Sequence, residues 1–186
     1  MKMPHKDLLS SSDCVLMVVD IQDAFQGHIP DLEQVIARSS IMIQAARLLE
    51  IPIIVTEQYP KGLGRTVESL RNILGECPYY DKLSFSCLGD EKIKAALSAF
   101  QRSQLLMVGI ETHVCIAQTA FDALALGLKT YLAADAISSR QSTDAHTAIE
   151  RLRNAGVIIT TTEAAILEMT NSSQHPRFRE ISKLIK

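Results

Sequence analysis

Cys14-Val15-Leu16-Met17-Val18-Val19-Asp20 decides the fold. Its six apolar residues, half of them valine, do not alternate with polar ones, the mark of a strand buried on both faces as in parallel sheets. Asp20 ends the run. Downstream, Leu32, Val35, Ile36, Ile43, Ala46 and Leu49 recur at helical spacing through residues 31–50, and Pro52 stops that helix. Residues 53–56 then form a second buried strand. Gly62-Leu63-Gly64 opens a loop, and Thr66 with residues 68–74 gives a short helix.

The alternation continues to the end of the chain. Residues 79–86 are mixed, a short strand or an extended loop that holds Lys82. Residues 90–101 form an amphipathic helix capped by Asp90, with Ile93, Ala96, Leu97 and Phe100 on one face. A strand at 105–108 is followed by a helix that Thr112 can cap and Gly127 can stop. A strand at 130–134 ends at Asp135, a helix at 143–154 is closed by Gly156, and 157–161 is a final buried strand. Such alternation specifies an α/β fold with a parallel sheet and right-handed crossovers. The expected architecture is a three-layer α-β-α sandwich on a doubly wound, mostly parallel six-stranded sheet of Rossmann-like strand order. Residues 175–186, with Phe178, Ile181, Leu184 and Ile185 on one side, read as a docking helix for this subunit or a neighbour.

Composition bounds the function. With 186 residues, 47% apolar and 22% charged, the chain fits one domain with a sizeable core. A formal net charge of -2 provides no electrostatic footprint for nucleic acid. The polar start through Ser10-Ser11-Ser12 lacks the form of a secretory signal and is expected to be flexible over residues 1–12. No apolar stretch is long enough to cross a bilayer. The four cysteines, Cys14, Cys77, Cys87 and Cys115, have no C-x-x-C spacing, which argues against a zinc site and a thioredoxin-type motif. Reduced thiols in the cytoplasm are the simplest account.

Ligands of open parallel sheets bind outside the carboxyl ends of the strands, which share one rim. Asp20 closes the first strand there, Lys82 lies on the mixed segment, and Cys115 opens the helix after the strand of Met107-Val108-Gly109-Ile110. A thiol ordinarily ionises near ~8.5, and the unpaired N–H groups of a helix start favour its thiolate. Taken singly, these residues have ordinary readings: a small buried hydrophobe, a strand-end aspartate capping a turn, and a solvated lysine. Taken together at one rim, they are a nucleophile, a base and a charge partner. His113 cannot pair with Cys115, because residues two apart on a helix point to different sides.

Val18-Val19-Asp20-Ile21-Gln22-Asp23-Ala24-Phe25, Tyr80-Asp81-Lys82-Leu83-Ser84-Phe85 and Gly109-Ile110-Glu111-Thr112-His113-Val114-Cys115 together resemble the isochorismatase-like cysteine hydrolases. Thr56-Glu57-Gln58-Tyr59-Pro60-Lys61-Gly62-Leu63-Gly64 adds a match to the small, metal-free branch. The resemblance implies Cys115 as nucleophile, Asp20 as general base and Lys82 as the group that holds Asp20 ionised. It also implies a non-proline cis peptide between Ile110 and Glu111, with the backbone N–H groups of Glu111 and Cys115 as an oxyanion hole. The activity implied is cleavage of a C–N bond in a small amide, ureide or related compound through a thioester, without a cofactor. A homo-oligomer, dimer or tetramer, is implied as well.

Phe25, Tyr59, Leu63, Phe85 and Ile110 are expected to wall the pocket, with Gln22 offering an amide. Nicotinamidases of this superfamily hold zinc through an aspartate and two histidines, whereas Glu57-Gln58-Tyr59 supplies no D-x-H pattern. True isochorismatases of the family hydrolyse a vinyl ether without depending on this cysteine. Two rivals come from other classes. A nucleotide- or flavin-binding module would need a phosphate-cradling glycine motif, and none follows any strand. A scaffold or interaction protein would keep the fold with its chemistry idle.

Overall fold

Alternate residues of β1 (Cys14–Val19) feed two separate cores, which is why its sequence shows no polar face. Cys14, Leu16 and Val18 join one core, and Val15, Met17 and Val19 the other. The computed structural model describes residues 5 and 7–186. Beside β1 lie β2 (Ile53–Gln58), β3 (Tyr79–Lys82), β4 (Gln104–Ile110), β5 (Lys129–Ser138) and β6 (Ile158–Thr160). The six-stranded order is β3-β2-β1-β4-β5-β6, and every neighbouring pair is parallel. The expected doubly wound sheet is therefore present, and wholly parallel. The order reverses direction between β1 and β4, so the loops leaving these two strands open a crevice at the carboxyl rim.

The helices are α1 (Leu32–Leu48), α2 (Pro60–Leu63), α3 (Glu68–Leu74), α4 (Glu91–Ala99), α5 (Ala117–Ala125), α6 (Ser142–Ala155), α7 (Thr162–Thr170) and α8 (Phe178–Leu184). The first core packs the sheet against α1, α3, α7 and α8, and the second packs it against α4, α5 and α6. The docking helix sits on its own chain: Ile181 is fully buried in the first core, alongside residues of α1. Of the amino-terminal stretch expected to be flexible, residues 1–4 and 6 lie outside the described residues. Leu9 is buried, its N–H donates to Glu168 (3.0 Å), and the Ser10 N–H donates to Gln104 (2.8 Å), so this part is tied to the domain.

Four local expectations are corrected. Thr112 does not cap a helix; its hydroxyl donates to the Ser138 carbonyl (3.1 Å), and residues Thr112–Ile116 form a π-helical turn before α5. β5 runs on through Asp135 to Ser138, bulging where Met107 pairs with Leu132 and Gly109 with Ile137. Asp135 caps all the same: its carboxylate accepts from the N–H and hydroxyl of Thr162 (2.7 and 3.0 Å) at the start of α7. Residues 60–63 close into the single-turn α2 where a loop was expected, and Phe100 ends α4 at 38% exposure rather than inside the core.

Candidate active site

β1, β2, β3 and β4 deliver Asp20, Thr56, Lys82 and Cys115 to the same rim. Asp20 takes a left-handed backbone (φ 53), a conformation aspartate tolerates better than most residues, and its N–H donates to the Thr56 carbonyl (3.1 Å). Its side chain is buried. Oδ1 accepts from the Thr56 hydroxyl (2.7 Å), while Oδ2 lies 2.7 Å from Lys82 Nζ. Beyond that ion pair, no donor among the described residues satisfies Oδ2. It is left with acceptor capacity.

Lys82 is the only buried cation among the described residues. Its Nζ lies 2.7 Å from Gln58 Oε1, 3.1 Å from the Phe85 carbonyl, 3.3 Å from the Ser84 carbonyl and 3.5 Å from Cys115 Sγ. Burial alone would lower its pKa, but the negative charge of Asp20, helped by Cys87 and Cys115, outweighs that and raises it. The ammonium is therefore charged. The three groups singled out in the sequence thus share one buried cluster.

Cys115 lies in the π-helical turn, a helix irregularity that recurs at functional sites, and is 7% exposed. Burial pushes its thiol up to about 12, the charge of Asp20 reinforces this, and Lys82 opposes it. Loss of solvent and the neighbouring carboxylate thus oppose the preference for thiolate that a helix start confers. A protonated thiol must therefore lose its proton as it attacks. The peptide between Ile110 and Glu111 is cis, and the Glu111 carboxylate accepts from the Arg140 backbone N–H (3.0 Å) and Nε (3.2 and 3.1 Å).

The expected pocket residues divide. A cavity of about 500 Å³ runs along Tyr59, Lys61, Asp81, Leu83 and Asp90 and reaches Lys82. Tyr59 lines it; Leu63 and Phe85 are not on its walls, although Phe85 is 56% exposed and its carbonyl accepts from Lys82. Phe25 packs on the first core and Ile110 is buried within it. Gln22 is fully buried and offers no amide to a ligand: its Nε2 donates to the Gln58 and Gly64 carbonyls (3.0 and 2.7 Å), and its Oε1 accepts from the Gln58 N–H (2.8 Å). His113 turns to Ser139 (3.0 Å), away from the cluster.

Thr56, Gln58 and Cys87 received no role from the sequence. Cys87 is buried 3.7 Å from the Thr56 hydroxyl, and its thiol is pushed up to about 11 by burial and by Asp20. The available signal was three polar residues, Thr56-Glu57-Gln58, closing an otherwise apolar strand at the rim. Glu57 is structural: it accepts from the Thr66 N–H and hydroxyl (2.7 and 2.8 Å) and from Arg65 (2.7 Å). Among the described residues, no group of three or more His, Cys, Asp or Glu side chains could hold a metal ion.

Comparison with known proteins places this geometry among relatives. Residues 14–164 match the model of the isochorismatase domain. Isochorismatase domain-containing protein 2 of Danio rerio is 41% identical over 95% of this chain and 89% of its own length. The secreted isochorismatase effector Isc1 of Phytophthora sojae is 40% identical over 92% of this chain and 84% of its own. The structure of MAR1 ribonuclease from Caenorhabditis elegans superposes with a TM-score of 0.91 at 42% identity, covering 96% of this chain and 92% of that one.

Proposed function

From the premise that the chain belongs to the isochorismatase domain family, we propose that it is a cysteine hydrolase cleaving a C–N bond of a small amide, ureide or related compound. One observation carries the reading: the Lys82 ammonium stands 2.7 Å from the Asp20 carboxylate and 3.5 Å from the Cys115 sulfur inside the fold. Asp20 Oδ2 takes the thiol proton while Sγ bonds to the substrate carbonyl carbon. The C=O electron pair moves to oxygen, where the N–H groups of Glu111 and Cys115 meet the oxyanion; one such donor contributes ~10²–10³ in rate. The oxyanion collapses, the C–N bond breaks, and Asp20 returns its proton to the departing nitrogen. Water then adds to the thioester with Asp20 again as base, releasing acid and thiol.

Lys82 stands 2.7 Å from Asp20 and compensates its charge. Once Asp20 is protonated, the unopposed ammonium stabilises the sulfur anion. This favours carbonyl chemistry over phosphodiester cleavage, which needs cationic charge for phosphate oxygens. The one buried cation among the described residues is already paired.

The test is a screen of small amides, ureides and imides for ammonia or acid release, with intact-mass detection of acylated protein and an RNA substrate as comparison. Cys115→Ala is expected to abolish turnover and acylation, with circular dichroism unchanged. Turnover retained in that variant rules out the covalent route; no hydrolysis of any compound favours the scaffold reading. A homo-oligomer is part of the proposal, since Tyr59, Leu83, Phe85 and Leu126 are at least half exposed; light scattering decides it. Four free thiols fit a reducing cytoplasmic setting.

A further inference from the structure

We propose that Gln58 is a positioning residue: as a neutral acceptor at the end of β2, it fixes the orientation of the Lys82 ammonium, whose third N–H is shared among the Phe85 and Ser84 carbonyls and the Cys115 sulfur. An ammonium has three N–H bonds in tetrahedral directions. The two shortest contacts of Lys82 Nζ, both 2.7 Å, are to Asp20 Oδ2 and Gln58 Oε1; those to the Phe85 and Ser84 carbonyls and the Cys115 sulfur are longer. Gln58 therefore orients the ammonium about its stem.

The amide is itself held. Its Nε2 donates to the Leu83 carbonyl (2.9 Å), which leaves Oε1 to face Lys82. Gln22 brackets the Gln58 backbone, accepting from its N–H (2.8 Å) and donating to its carbonyl (3.0 Å). Since Gln22 follows Asp20 by two residues, the chain of contacts closes into a ring: Asp20, Gln22, Gln58, Lys82 and back to Asp20. Neutrality matters as much as position. A carboxylate at residue 58 would give Lys82 a second negative partner and weaken its field at the sulfur.

For its effect on turnover the inference rests on the hydrolase reading, but the test needs no substrate. Iodoacetamide alkylation of Cys115, read at the peptide level by mass spectrometry, is followed against pH in the wild type, Gln58→Glu and Gln58→Met. Gln58→Glu is expected to alkylate ~10-fold more slowly on the rising limb, its profile displaced upward. Gln58→Met, which adds no charge, is expected to move the profile less. Coincident wild-type and Gln58→Glu profiles overturn the proposal. Should Gln58→Glu fail to fold, isotope-labelled lysine decides: a slowly exchanging Lys82 ammonium resonance in the wild type must be lost in Gln58→Asn, and equal signals overturn the proposal. If an amide substrate is found, kcat falls in Gln58→Glu with KM held; if none is found, the alkylation result still stands.

Discussion

At the residue scale the site is a problem of one negative charge. On top of burial, which raises the Cys115 pKa most, Asp20 raises it further through its field and Lys82 lowers it. Replacing Asp20 with asparagine removes the raising charge and leaves the ammonium, so Cys115 must ionise at lower pH while proton transfer to residue 20 is lost. The expected outcome for Asp20→Asn is an alkylation profile shifted downward by about one pH unit or more, together with loss of turnover. A variant with a faster-reacting sulfur and no hydrolysis would separate acidity from catalysis; a profile unmoved or moved upward would contradict the electrostatic account. The three groups were legible in the sequence because strand ends of a parallel sheet converge. The protonation state of Cys115 was not, since a helix start argues for thiolate and only burial reveals the opposing effect. Gln22 was misread for a related reason: a polar residue beside a catalytic candidate is as readily a brace as a ligand.

The elements that bring these residues together depend on a close approach between β1 and β4. Gly109 has φ +125, and a Cβ there would meet the Val19 carbonyl oxygen at 2.1 Å. Backbone cannot yield as a flexible side chain would. Gly109→Ala is expected to destabilise the protein by about 3 kcal/mol or more, read as a lowered urea midpoint at unchanged slope. A midpoint near the wild-type value would show that β4 passes β1 less tightly than described. Apolar runs and cap residues predicted most elements; Asp90 accepts from the Lys92 and Ile93 N–H groups as expected (2.9 and 3.4 Å). The missed element, α7, has apolar residues on more than one side, which blurs its helical period; Thr161 caps it locally, accepting from the Ala164 N–H (3.4 Å), while Asp135 braces it from β5. The extension of β5 was hidden for a like reason, because Asp135 resembles a strand stop while the bulge lets the strand continue.

For the whole molecule, the two-core sandwich follows from strands apolar on both faces, and it buries three cysteines, Cys14 and Cys87 fully and Cys115 all but 7%. Burial, their largest cause in each case, pushes the thiols of Cys14 and Cys115 up to about 12 and Cys87 up to about 11, well above the ordinary thiol range. Lys82 is raised too, despite the opposing effect of burial, by the charges of Asp20, Cys87 and Cys115. In the unfolded chain these thiols release their protons near the ordinary value, so above it the unfolded state holds fewer protons than the native state. Stability must then fall as pH rises, having been fully present below the unfolded pKa. Each thiol contributes at most ~1.4 kcal/mol per pH unit, so the three together give a slope of up to about 4 kcal/mol per unit between about pH 9 and 11. Reversible urea unfolding under reducing conditions at stepped pH measures this slope directly. Cys14 lies away from Asp20 and Lys82 in the first core, so Cys14→Ala is expected to lose one thiol's share of the slope while leaving Cys115 alkylation unchanged. Stability flat across that window would mean that the thiols ionise equally easily in both states, and that the sheet's faces are wetter than their burial implies.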